Sequence, residues 1–102
     1  MKDSYEFEVI CKNAIINYVN KHFDKTDNFK IDIHNVYVVW MCKTLKNSKA
    51  LLSTTLPDLR YYECTYNGEK DEMYLDVYTK IENKVIKSNE FQKEVNINEN
   101  DL

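Results

Sequence analysis

The chain has 102 residues, which is enough for one domain and too few for two. Its formal net charge is −3, which disfavours non-specific binding to a nucleic-acid phosphate backbone. Hydrophobic residues make up 43% of it, a fraction typical of a folded domain and too high for a disordered chain. Its three cysteines stand far apart without a C-x-x-C pair, so the sequence predicts neither a disulfide framework nor a zinc site.

The first predicted element is a helix over residues 4–22. Asp3 and Glu6 have the spacing of a capping box, in which two side chains satisfy backbone amides at a helix start. The polar run 24–28 is rich in turn formers and is predicted to be the loop that follows. Apolar side chains at spacings of three and four predict the face that packs on a sheet, namely Phe7, Ile10, Cys11, Ala14, Tyr18 and His22.

Two strands are predicted next, in an antiparallel hairpin. Residues 36–42 form a β-branched and aromatic run that is too apolar for a solvent-facing strand, and we expect Trp40 to lie in the core. The polar segment 46–49 is the predicted turn, and 50–56 is the second strand. Pro57–Asp58 should end it, because proline cannot donate a hydrogen bond to a neighbouring strand.

A second hairpin is predicted around Asn67–Gly68, a pair well suited to the positive φ values of a tight turn. Its strands are 61–66 and 72–79. A two-residue loop would place Glu63 opposite Glu72, a destabilising pair of like charges, so we predict a four-residue loop over 67–70. That register pairs Tyr62 with Leu75 and Cys64 with Met73.

Residues 81–86 fit either a short helix or an extension of the last strand, and we predict the helix; polar sequence follows from Ser88 onward. Together the elements predict an α+β fold, in which an N-terminal helix packs on a four-stranded antiparallel meander sheet. We expect a single domain over residues 1–88 and a flexible polar tail over 89–102.

Residues 39–80 contain two distinctive blocks, W-x-C-K-T-L-x-N-x-K-A-L-L-S-T-T and Y-Y-E-x-T-Y-N-G-x-K. This half of the chain resembles a family of small proteins of unknown function encoded by phages and prophages of low-GC Gram-positive bacteria. The resemblance implies a bacterial host and no particular activity. The family pattern implies a glycine turn after Pro57–Asp58, where this chain has Leu59–Arg60.

We find no signature of catalysis or of a metal or cofactor site. His22 and His34 are the only histidines, and neither stands in a motif with an orienting third group. Asp32 and His34 would give two metal ligands where a functional zinc site needs three. The carboxylates of Asp71, Glu72 and Asp76 are typical of a solvated strand. No segment is apolar enough for a signal peptide or a membrane span, which with reduced cysteines predicts a protein of the bacterial host cytoplasm without membrane contact.

The favoured function is binding of a host or phage protein, without catalysis. Alternation along the second hairpin puts tyrosines and carboxylates on one face, and such a face suits a basic protein partner. The alternative is that the same face lies under the C-terminal segment or under a second protomer of a homodimer. The predicted binding residues are Tyr61, Glu63, Glu72, Tyr74, Asp76 and Tyr78.

A rival function is binding of single-stranded nucleic acid. Lysines cluster around the first hairpin, and aromatic rings nearby could stack on bases. Carboxylates among the tyrosines would repel phosphates at the same place, which disfavours this function. Its residues would be Trp40, Lys43, Lys46 and Lys49.

Overall fold

A computed structural model describes residues 3–22 and 30–94, and it confirms the predicted α+β fold. One helix lies against a four-stranded antiparallel sheet in which each strand pairs with the next along the chain, in the order β1-β2-β3-β4. The predicted loop over 24–28 and the residues from 95 onward lie outside the described part. The elements are α1 Ser4–His22, a 3-10 turn Ile33–Asn35, β1 Val36–Thr44, β2 Asn47–Thr54, β3 Arg60–Asn67, β4 Glu72–Thr79 and α2 Ser88–Glu94.

Helix α1 begins where the sequence predicted. The Glu6 amide donates to the Asp3 carboxylate at 2.7 Å, and the Phe7 amide donates to the Asp3 carbonyl at 3.0 Å. The buried stripe differs from the predicted one because the burial follows a strict spacing of four. Ile15 and Val19 were missed, while His22 is exposed. The fully buried side chains of the helix are Phe7, Cys11, Ile15 and Val19.

These helix residues meet the central strands of the sheet. Leu52 of β2 and Tyr62 and Cys64 of β3 are wholly shielded from solvent. The Tyr62 ring packs edge-on against the Tyr18 ring, with 6.1 Å between centroids. Because α1 contacts β1 and β2, one face of the sheet carries the core.

The first hairpin is tighter than predicted. Its turn is the pair Leu45–Lys46, and Asn47 to Lys49 already belong to β2. Leu45 has φ 55°, a conformation that a two-residue turn between twisted strands requires. Of the predicted turn, residues 46–49, only Lys46 lies in the turn; Asn47 and Lys49 are exposed at the start of β2, and Ser48 is buried.

Trp40 is not in the core, contrary to the prediction. Between Val38 and Trp40 the pairing with β2 shifts by one residue, which makes Val39 a β-bulge. Regular alternation would have put Trp40 on the same side as the buried Val36. The bulge turns Trp40 to the side away from the helix, where 43% of its surface is exposed.

The second hairpin keeps the predicted faces but not the predicted register. Asn67 pairs with Glu72, so the four-residue loop is 68–71 and Tyr62 lies opposite Val77. The Asn67 side chain accepts hydrogen bonds from two amides of the loop, those of Glu69 at 3.1 Å and Lys70 at 3.3 Å. The hydrogen bonds of Asn67 within the loop therefore explain the observed register, which the repulsion between Glu63 and Glu72 did not predict.

Gly68 serves a different purpose from the predicted one. It has no positive φ. A Cβ at this position would collide with the carbonyl oxygen of Lys46 in the neighbouring turn, and the Gly68 amide donates to the Asn47 side chain at 3.2 Å. The glycine is needed because the two turns at this end of the sheet approach each other closely.

Leu59 occupies the position where the sequence pattern called for a glycine turn. Its φ is 57°, in the left-handed region, and 61% of its surface is exposed. We expect Leu59→Gly to raise the free energy of unfolding by about 0.5–1 kcal/mol, because relief of the backbone strain exceeds the entropic cost of glycine in the unfolded chain. Urea denaturation measures the change. Leu59→Ala keeps the strain and should show no gain, so equal stabilities for the two variants would contradict this explanation.

The predicted short C-terminal helix is confirmed, but it lies at Ser88–Glu94 and not at 81–86. Residues 80–87 form neither helix nor strand, and a helix begins only at Ser88. The reason lies in the side chains, since Ile81, Val85 and Ile86 are all exposed and pack on no apolar surface of the described residues. Among the helices of the described residues, none is both long and apolar enough to cross a lipid bilayer.

Candidate protein-binding face

The side of the sheet away from α1 is uncovered by any element of the described residues. We call it the open face. Cross-strand pairing fixes its members, because directly paired residues project to the same side of a sheet. They are Tyr37, Trp40 and Cys42 on β1, Lys49, Leu51 and Ser53 on β2, Tyr61, Glu63 and Thr65 on β3, and Glu72, Tyr74, Asp76 and Tyr78 on β4.

Aromatic rings dominate the exposed surface of the open face. The exposed fractions are 48% for Tyr37, 43% for Trp40, 47% for Tyr74 and 50% for Tyr78. All four rings lie on the edge strands β1 and β4, and half-buried Leu51 and Tyr61 lie between them on the central strands. Exposed aromatic clusters of this kind are unusual on a monomer and are enriched in protein interfaces.

The charges of the open face are arranged around a single lysine. Glu63 and Asp76 pair directly across β3 and β4, which places two negative charges side by side. The Lys49 ammonium lies 3.4 Å from the Glu63 carboxylate and offsets part of this repulsion. With Glu72, the face carries three carboxylates and one ammonium, a net charge of −2. The open face is therefore acidic as well as aromatic.

Two tyrosine hydroxyls of the open face are influenced by these carboxylates. The Tyr74 hydroxyl donates to the Glu72 carboxylate at 2.5 Å, and this hydrogen bond raises the pKa of Tyr74. The negative charge of Glu63, then desolvation and the charge of Asp76, raise the pKa of Tyr78. Both phenols therefore stay protonated in neutral solution.

The six residues predicted to bind protein do share one face, as strand alternation indicated. Their role in binding remains a prediction. Sequence reasoning missed Tyr37, Trp40 and Leu51, which join them across the sheet. No pattern in the sequence marks Val39 as a bulge, so only the pairing of β1 with β2 could reveal that Trp40 lies on this face.

The residues of the nucleic-acid alternative are not brought together. Trp40 and Lys49 lie on the open face, but Lys43 pairs with Ser48 on the helix side and Lys46 lies in the turn. Lys49 is also paired with Glu63. A continuous basic track beside stacking rings, as single-strand binding requires, is not formed by these four side chains.

His22 and Asp32 have structural roles. His22 stacks on the Tyr18 ring with 4.2 Å between centroids, and its Nδ1 donates to the Tyr18 carbonyl at 2.9 Å. The Asp32 carboxylate accepts the His34 amide at 2.9 Å and so begins the 3-10 turn. Within residues 3–22 and 30–94, no three acidic, histidine or cysteine side chains are placed to share a metal ion.

The chain was compared with protein families, with curated proteins and with solved structures. Neither the curated proteins nor the solved structures gave a match. A family model does match, over residues 8–88, and this range spans most of α1, the whole sheet and the segment after β4 up to the start of α2. The chain therefore belongs to the family of unknown function DUF6275.

Proposed function

We propose that the chain is a small phage-derived accessory protein that binds a host or defence protein through the open face and modulates it by occlusion, without turnover. The observation that supports this proposal most is the exposure of four aromatic rings, each between 43% and 50%, on a sheet face that no described element covers. Tyrosine and tryptophan supply large contact area at a low cost in side-chain entropy. The phage origin is supported by the two sequence blocks within residues 39–80.

The charge of the open face narrows the class of partner. Glu63, Glu72 and Asp76 would repel nucleic-acid phosphates and attract lysine or arginine side chains. A partner segment that alternates basic and aliphatic residues would satisfy both the carboxylates and the rings. We therefore expect the bound surface of the partner to be basic and partly apolar.

The test is capture of proteins from a lysate of the bacterial host with the full-length chain as bait. Replacing Tyr74 and Tyr78 by serine should abolish capture of a specific host protein, because about half of each ring is exposed and available for contact. Tyr5→Ser is the matched control, since Tyr5 is 75% exposed on α1. Capture by a folded double variant that equals capture by wild type would contradict the proposed surface.

The same capture separates protein binding from nucleic-acid binding. Bound nucleic acid should be released steeply as salt rises, because the affinity then comes from phosphate contacts. Binding of nucleic acid should also be lost when Lys43, Lys46 and Lys49 are changed to glutamate. A protein bound through the rings and three carboxylates of the open face should be released less steeply by salt than nucleic acid. It should survive Lys46→Glu, because Lys46 lies in the turn at the end of the sheet.

A further inference from the structure

The segment after β4 leaves the sheet and stays exposed. We call residues 80–92 the arm. The Lys80 amide still donates to the Leu59 carbonyl at 2.7 Å, and every residue from 81 to 92 is then exposed. Large apolar side chains are included, with exposed fractions of 96% for Ile81, 76% for Val85, 55% for Ile86 and 47% for Phe91. An apolar arm of this kind is stabilised when another surface covers it.

The chemistry of the arm complements that of the open face. Its first eight residues carry Lys80, Lys84 and Lys87 against a single Glu82, a net charge of +2. The open face has a net charge of −2 from three carboxylates and Lys49. Basic side chains alternate with Ile81, Val85 and Ile86 along the arm, so one segment can present ammonium groups to carboxylates and apolar groups to rings.

The length of the arm suits a contact across the sheet. Eight residues reach at most about 26 Å, at 3.3 Å per residue. Four strands spaced about 4.8 Å apart are only about 14 Å wide between the outer two. To reach its own open face, the arm would have to reverse direction beside the edge strand β4. It contains neither glycine nor proline for a tight turn, and residues 81–92 are all exposed, which favours the face of another molecule.

We propose that the arm of one copy lies on the open face of a second copy, and that the exchange is reciprocal, giving a symmetric dimer. Reciprocal exchange forms two identical contacts and closes the assembly. The inference rests on the proposed function in so far as the open face is a protein-binding surface. It adds regulation, because the arm occupies that surface until a partner with a better-fitting basic segment displaces it.

Charge reversal in the full-length chain tests this pairing. The face variant is Glu72→Lys with Asp76→Lys, and the arm variant is Lys84→Glu with Lys87→Glu. All four positions are exposed, so the fold should survive, which circular dichroism checks. A control exchanges charges in the loop of the second hairpin, with Glu69→Lys and Lys70→Glu. Sedimentation equilibrium at low and high salt gives the dimer dissociation constant.

Wild type and the loop control should be dimers, and added salt should raise their dimer dissociation constant. Each reversed variant should dissociate at least about tenfold more readily, because attraction becomes repulsion at both contacts. An equimolar mixture of the face and arm variants should form a heterodimer, since both of its contacts are again complementary. A chain that carries all four substitutions should also dimerise.

Several results would overturn the inference. A wild-type chain that is monomeric at all accessible concentrations would do so, as would a dimer that tolerates either reversal, or reversed variants that fail to pair with each other. None of these results decides the proposed function, which depends on capture of a host protein and its loss with Tyr74→Ser and Tyr78→Ser. Conversely, a dimer that behaves as expected while no host protein is captured would support the arm contact and contradict the proposed function.

Discussion

Replacing Tyr62 by alanine is expected to lower the free energy of unfolding by about 3–5 kcal/mol, the range found when large aromatic side chains are removed from cores. Tyr62 has no solvent exposure and lies on β3 between the helix and the sheet. The cavity left behind would border Tyr18, whose ring now packs edge-on against it. Since a domain of this size is stabilised by only about 5–15 kcal/mol, the variant should lose a large share of its stability.

Tyr74→Ala is the matched control for this experiment. Tyr74 lies on the adjacent strand but on the open face, with 47% of its surface exposed. Its loss should cost less than about 1 kcal/mol, the range of a cross-strand contact on a solvated face. Urea unfolding followed by circular dichroism gives both values. Similar losses for the two variants would mean that the open face is packed as tightly as the core.

Deleting Leu51 is expected to abolish the fold, with a loss that exceeds about 5 kcal/mol. Leu51 lies in β2, which pairs with strands on both sides. Its removal would shift one half of β2 by one residue and exchange the faces of that half. Lys49 would then point to the helix side, where Ala50 is now only 1% exposed. A charged side chain buried there without a partner is strongly unfavourable.

Deleting Val39 should be tolerated, although it also removes one residue from the middle of a strand. Val39 is the extra residue of the bulge, and without it Val38 and Trp40 would follow the regular pairing with Leu52 and Leu51. Trp40 is the only tryptophan, so its fluorescence reports whether it stays accessible to an aqueous quencher. A deletion variant that unfolds, or whose tryptophan becomes shielded, would show that the bulge supports the core.

Local patterns predicted much of this architecture. The cap at Asp3, the two hairpins and the break between β2 and β3 each depend on residues close together in the sequence, and all were found, although β2 ends at Thr54, two residues before the predicted end. The alternation in β4 likewise predicted which of its side chains share a face. Such features depend on spacing and on the conformational preferences of single residues, so they can be read without knowing what packs where.

Features that depend on contacts between elements were missed. The register of β3 with β4 is fixed by the bonds of Asn67 within the loop and leaves Glu63 opposite Asp76, a pairing that charge alone disfavours. The ion pair of Lys49, on β2, with Glu63 offsets part of the repulsion between Glu63 and Asp76. The missing helix over 81–86 has a similar origin, because local propensity in a short segment is too weak without a surface to pack on.

The sequence by itself determined the class of fold, the order of its elements and the alternating aromatic and acidic character of β4. Only the tertiary structure decided that Trp40 and Tyr37 join that surface and that the arm stays clear of it. The physical reason is that a single bulged residue reverses the side to which half a strand points, and that exposure depends on what the rest of the chain covers.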